Sequence, residues 1–183
     1  MGQHEVLAAL VEERGVTVAA AESLTAGNVS AALGAAPHAQ EWFAGAVTAY
    51  GVEVKQDLLG LPEGVDPCSA ECAETMAEGV RRLLHADVAI STTGVGGPDP
   101  QDGHPAGTVY IGWATPTGTG SRLFTFDAGP EEVVHRTAAI AVDLLIAAVG
   151  SVKVAAGSDA TVLRHHRAVD GVAAGGHVEH QLQ

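Results

Sequence analysis

Two short apolar runs limit what this chain can fold into more than any other feature: VTVAAAES at 16–23 and DVAISTTGV at 87–95. Each is too short for a buried helix and too continuously apolar for a strand with one wet face. That is the pattern of strands covered on both sides, as in a parallel sheet. A third run, WFAGAVTAY at 42–50, reads as a second strand. Helical segments separate them. Val6, Leu7, Leu10 and Val11 have helical spacing within 3–14, and Gly15 stops that helix. A small-residue helix is predicted from Thr25 to Leu33, and a short one over 52–60 closed by Gly60. A longer helix runs from Ser69 to His85, with Met76, Val80, Leu83 and Leu84 on one face. GTVYIGWAT at 107–115 and SRLFTFDAG at 121–129 alternate like a hairpin across PTGTG, and a last helix runs from Pro130 to Val149. This order predicts an α/β fold, a three-layer α/β/α sandwich whose sheet of about five strands is mostly parallel with one antiparallel. Residues 1–149 form the expected domain. Beyond Gly150 the periodicity is lost, and 150–183 reads as a mobile tail.

Composition removes several classes of function. With 183 residues, 46% of them apolar, the chain can bury a core without metal or disulfide support. The net charge is −13, and residues 1–150 carry 19 acidic side chains against six basic ones. A body this acidic repels phosphodiester backbones at long range, so no nucleic-acid partner is expected. A small anionic ligand needs only a few backbone N–H groups or one arginine and stays open. The longest apolar runs break before the roughly 18 residues of a membrane span, and no basic region precedes an apolar leader. The expectation is a cytoplasmic protein without a membrane partner. Cys68 and Cys72 lie on one helix face and read as packing residues.

Sites in parallel sheets open at the carboxyl ends of the strands. Three stretches lie there: Glu22 to Thr25, Tyr50 to Lys55 and Thr92 to Pro98. The chain has two lysines, Lys55 and Lys153, so the folded body holds one, five residues from one of two tyrosines. Lys55 reads either as a surface lysine lying over Leu58 or Leu59, or as a base whose pKa burial lowers. Ser23 reads either as a helix N-cap, a role Thr25 could fill equally well, or as a nucleophile beside backbone donors. A nucleophilic serine needs a base, and the histidines of the body form no triad pattern, which leaves Lys55. The segment Thr93 to Pro98 follows a strand but opens no helix, so it is neither a P-loop nor a dinucleotide fingerprint; it reads as a turn or as an N–H cradle. Asp99, Asp102 and His104 match no justified metal spacing, and no metal is expected.

With these residues in hand, the chain resembles the CinA carboxy-terminal domain family, the nicotinamide-nucleotide amidohydrolases, over nearly all of 1–149. Ala21 to Gly27 is similar to the family's alanine-glutamate-serine-cysteine-threonine-glycine-glycine motif, Val47 to Lys55 to its tyrosine-and-lysine segment, and Thr93 to Pro98 to its glycine-proline loop, with Pro105 to Tyr110 after it. The resemblance implies an α/β/α sandwich that hydrolyses the carboxamide of nicotinamide mononucleotide to nicotinate mononucleotide and ammonia, without metal or cofactor. It implies Ser23 as nucleophile, Lys55 as base and Tyr50 as an orienting or relaying group, with backbone N–H groups near Leu24 and Thr25 for the oxyanion. It assigns the substrate to Glu22, Leu24, Thr25, Gly27, Thr93, Gly94, Gly96, Gly97 and Arg136, and it implies a small-molecule nucleotide partner and a homo-oligomer. Leu24 stands where the family has cysteine, Ala26 and Val52 where it has glycine and asparagine, and Arg136 is displaced by one position from its basic residue. Two alternatives follow from those departures: a catalytically impaired paralogue that binds a nucleotide or a partner, and an amidohydrolase for another small amide.

Overall fold

The computed structural model describes residues 2–153. The elements are α1 (Gln3–Arg14), β1 (Val18–Glu22), α2 (Asn28–Gly34), α3 (Ala39–Trp42), β2 (Phe43–Thr48), α4 (Val52–Leu59), α5 (Ala70–Leu83), β3 (Val88–Gly94), β4 (Thr108–Thr115), β5 (Gly118–Thr125) and α6 (Pro130–Ser151). They form one sheet in the order β2-β1-β3-β4-β5. β1 pairs parallel with β2 and β3, while β4 runs antiparallel to both its neighbours. Four strands therefore share a direction and only β4 opposes them, as the sequence predicts.

Strand alternation sorts the core into two faces. Val18 and Ala20 of β1 point with Val88 and Ile90 of β3 toward α1, α2, α3 and α6, where Leu7, Leu33, Trp42 and Leu145 meet them. Ala19, Ala21 and Ala89 point the other way, against Leu59 of α4 and Cys72, Met76 and Val80 of α5. Helices thus cover both faces. The small side chains on the α5 face let that helix lie very close to the sheet. A Cβ on Gly112 would fall 2.4 Å from the Ala73 carbonyl oxygen, and Ser91 Oγ donates to that same oxygen at 2.5 Å. At the start of α5, Ser69 Oγ accepts from the Cys72 N–H at 3.1 Å, the N-cap that the sequence anticipates.

Several features depart from the sequence reading. α2 begins at Asn28 rather than Thr25, because Ala26 and Gly27 are left-handed, with φ of 46° and 102°. The hairpin turn is only Pro116 and Thr117, so β5 starts earlier and ends at Thr125. Leu83 is half exposed: the buried stripe of α5 passes from Val80 to the partly buried Leu84. α6 reaches Ser151, past the expected boundary at 149, and the rest of the tail expected over 150–183, from residue 154 on, lies outside the described residues. α6 also contains an 18-residue stretch of mean hydropathy 1.7, long and apolar enough for a membrane span, contrary to the sequence reading. Packing accounts for that composition, since Val133, Ala141, Leu145 and Val149 of α6 are buried in the core.

Gly112→Ala is expected to destabilise the fold by about 2–3 kcal/mol, because the new methyl meets backbone that cannot yield. Chemical denaturation of the two proteins checks this.

Candidate active site

β2, β1 and β3 are neighbours, so their carboxyl ends bring the three predicted segments together. The ladder continues past the strands: the Ser23 N–H donates to the Thr92 carbonyl at 2.9 Å, and the Ala49 N–H donates to the Glu22 carbonyl at 2.7 Å. Ser23 therefore sits in register beside Thr93, and alternation along β1 assigns it to the α4–α5 face. Glu22 takes the opposite face.

The structure turns Glu22 inward, where the resemblance implies substrate contact. It is fully buried. Its Oε2 accepts from Thr25 Oγ1 at 2.7 Å, the Gly27 N–H at 2.9 Å and the Val29 N–H at 3.0 Å. Its Oε1 accepts from the Ser30 N–H at 2.8 Å and from Ser30 Oγ. The carboxylate thus caps α2 from the preceding strand, the role that neither Ser23 nor Thr25 plays. Thr25 Oγ1 has one proton and gives it to Glu22, so the 2.7 Å contact with Thr92 Oγ1 has Thr92 as donor. Thr25 is buried and braces the turn.

In that turn the N–H groups of Ser23, Ala26, Gly27 and Asn28 all donate to protein acceptors. Among the described residues, those of Leu24 and Thr25 donate to none. The same holds for Gly96 and Gly97, whereas the Val95 N–H is taken by the Thr108 carbonyl at 2.8 Å. The two pairs are neighbours: a Cβ on Gly96 would lie 4.0 Å from Leu24 Cδ1. The Leu24 side chain itself joins the α2–α6 core, which explains an apolar residue there. Gly94 is needed for close approach, since a Cβ there would fall 2.3 Å from the Thr108 carbonyl oxygen.

Lys55 occupies α4 and is only 3% exposed, so the surface-lysine reading fails. Its ammonium makes no hydrogen bond or ion pair among the described residues. Burial lowers its pKa from the ordinary 10.5, against weaker opposing effects of the neighbouring Cys72 and Cys68. Burial likewise raises Cys72, opposed by Lys55 and by a hydrogen bond with Thr93, and pushes Cys68 up to about 11. Thr93 is buried, and its Oγ1 donates to the Pro67 carbonyl at 2.6 Å. Lys55, Cys72 and Thr93 thus gather on the face to which Ser23 is assigned. The cysteines' place beside Lys55 escaped the sequence reading, although a cap at Ser69 already puts Cys72 in the first turn of α5.

Two residues stand apart. Tyr50 is 70% exposed and forms no side-chain hydrogen bond among the described residues. Arg136 lies over the Phe126 ring, 4.9 Å from its centroid, and pairs with Glu132 at 3.4 Å. His104, weighed as a metal ligand, instead meets Asp66 with Nε2 to Oδ2 at 2.7 Å, tying the 96–107 loop to the 62–67 connection. Burial alone would raise the Asp66 carboxyl, but the Cys68 N–H and His104 hold it below its ordinary value. Among the described residues no group of three or more His, Cys, Asp or Glu is arranged to hold a metal ion.

A family model described as the CinA C-terminal domain matches residues 2–149. The chain belongs to that family. A competence-damage inducible protein of Listeria welshimeri, so described by name, is 42% identical over 140 residues, which is 74% of this chain and 34% of that protein. This CinA C-terminal domain chain therefore spans about a third of the length of such relatives. The crystal structure of the competence damage-inducible protein A from Klebsiella pneumoniae subsp. pneumoniae aligns with a TM-score of 0.78 and 28% identity, covering 84% of this chain and 100% of that one. The competence/damage inducible protein from Agrobacterium tumefaciens aligns at 0.71 and 27%, covering 80% and 96%. The left-handed Ala26 and Gly27 give a conformational reason for the paired glycines of the CinA motif.

Ala26→Gly is expected to raise stability by about 0.5–1 kcal/mol, the relief of a left-handed alanine less the added freedom of the unfolded chain. Denaturant titration measures it. Lys55→Met removes a buried cation and is expected to raise Tm at neutral pH. In the wild type, the unfolded chain holds the Lys55 proton up to about 10.5, while the folded protein releases it at lower pH. Wild-type stability therefore rises across that window, and the advantage of the variant shrinks as pH approaches 10.5.

Proposed function

We propose that this chain hydrolyses the carboxamide of nicotinamide mononucleotide to nicotinate mononucleotide and ammonia. One observation carries the reading: of the two lysines, Lys55 is buried, is paired with no carboxylate among the described residues, and lies on the α4–α5 face to which Ser23 is assigned. An amine held below its ordinary pKa can take a proton from a serine hydroxyl, which at its free pKa is a weak nucleophile.

In this reading Ser23 Oγ attacks the amide carbon as its proton passes to the Lys55 amine. The oxyanion lies against the Leu24 and Thr25 N–H groups, which have no protein acceptor to leave. Lys55 then gives its proton to the departing nitrogen, the C–N bond breaks and ammonia leaves. Water, deprotonated by Lys55, opens the resulting ester and restores Ser23. The Gly96 and Gly97 N–H groups take the substrate phosphate. Tyr50 stands at the rim, where it can cover the bound ring. Arg136, held over Phe126, has only an outer part in phosphate binding. The reading uses no metal or cofactor, and with it we propose a cytoplasmic homo-oligomer.

Ammonia release from nicotinamide mononucleotide by the purified protein, with Ser23→Ala alongside, tests this. The wild type is expected to release ammonia, with a loss of at least about 1000-fold in the variant. Its kcat/KM is expected to rise with pH to a plateau below 10.5 as Lys55 becomes neutral. Equal release by both proteins would overturn the nucleophile. No release by either, with a ligand-induced rise in Tm, would favour a binding paralogue.

A further inference from the structure

The carboxylate of Glu22 lies directly behind the turn that carries Ser23, yet both its oxygens are filled by five protein donors and it has no exposure. It can neither touch a substrate nor take the serine proton. It does decide which backbone donors a substrate meets. The amino terminus of α2 would otherwise offer the Gly27, Val29 and Ser30 N–H groups to an anion. Glu22 consumes all three, so the free donors of this segment are those of Leu24 and Thr25.

The two oxygens divide the work. Oε1 is bonded only to Ser30, in the first turn of the helix. Oε2 holds the turn itself through Thr25 and Gly27 as well as taking the Val29 N–H, and Thr25 is braced in turn by Thr92 of β3. Ala26 is kept left-handed within this frame, with its N–H donating to the Ser23 carbonyl at 3.1 Å. We infer that Glu22, acting through Thr25 and Thr92, is a positioning residue that shapes the turn so that the Leu24 and Thr25 N–H groups face the atom attacked by Ser23. The inference rests on the reading of Ser23 as nucleophile.

Covalent inactivation by a fluorophosphonate tests it without relying on the nicotinamide substrate. The Ser23 Oγ–P bond forms, the P–F bond breaks and fluoride leaves, the serine proton passes to Lys55, and the phosphoryl oxygen occupies the oxyanion position. Glu22→Gln, Thr25→Val and Ser30→Ala are compared with the wild type below each Tm, and the labelled residue is identified by mass spectrometry. Glu22→Gln and Thr25→Val are expected to lower kinact by at least about ten-fold. KI and the pH midpoint of inactivation stay unchanged, because Lys55 lies on the other face of the sheet. Ser30→Ala, which weakens the same carboxylate's hold on the helix, is expected to lower Tm while kinact stays within about two-fold, since Ser30 bonds only Oε1, and Oε1 bonds no residue of the turn. If Glu22→Gln does not fold, Thr25→Val decides alone. Wild-type labelling at Ser23 with Thr25→Val as fast as wild type overturns this inference and leaves the nucleophile standing, as does equal slowing by Ser30→Ala. Absence of labelling at Ser23 in the wild type overturns both.

Discussion

A carboxylate removed from water must find donors inside the protein, because several kcal/mol of lost hydration are otherwise uncompensated. Glu22 finds five, and they come from the turn after β1 and the first turn of α2. Through Thr25 and Thr92 the same cluster reaches β3. One buried group thus fixes the end of β1, the start of a helix and the spacing of two neighbouring strands. The left-handed Ala26 is tolerated because these bonds over-determine the turn around it. Ser23 inherits its position from that frame, facing away from the carboxylate that builds it.

On the other face of the sheet the balance is different. Among the described residues Lys55 pairs with no carboxylate, although the chain carries a net charge of −13. The titratable groups that act on it are two cysteines, which could hold the ammonium charged only as thiolates. Burial raises both thiols, Cys68 to about 11, so at neutral pH they stay protonated and offer no counter-charge. Desolvation therefore prevails in lowering the lysine. Separating the acidic residue and the basic residue by the thickness of the sheet keeps Glu22 from pairing with Lys55 and restoring its proton affinity. The close seating of α5, permitted by Gly112 and Ser91, brings those neutral thiols to the lysine.

Much of this was legible in the sequence. Continuous apolar runs identified β1 and β3 as covered on both faces, and the scarcity of lysine singled out Lys55. Ordered motifs located the three strand ends that the sheet joins. What was not legible depended on side-chain direction and tertiary contact. Residue type alone could not say that Glu22 faces the helix while Ser23 faces α4 and α5; only strand alternation anchored by known neighbours does so. The late start of α2 follows from backbone angles at Ala26 and Gly27, against alanine's helical preference. Tyr50 and Arg136 were chosen by motif position, and nothing in their neighbours along the chain foretold that one would be exposed and the other stacked on Phe126. The hydropathy of α6 reflects burial on the sheet, which a linear reading cannot separate from a membrane span.

A usable base at the buried lysine is directly measurable, because the sequence contains only Lys55 and Lys153. Protein labelled with carbon-13 at the lysine ε position gives two resonances to follow by NMR as pH is raised. The resonance missing from Lys55→Met is expected to titrate clearly below the ordinary 10.5. A Lys55 resonance that titrates at or above that value would mean an amine still charged in the folded protein, and the serine would have no base.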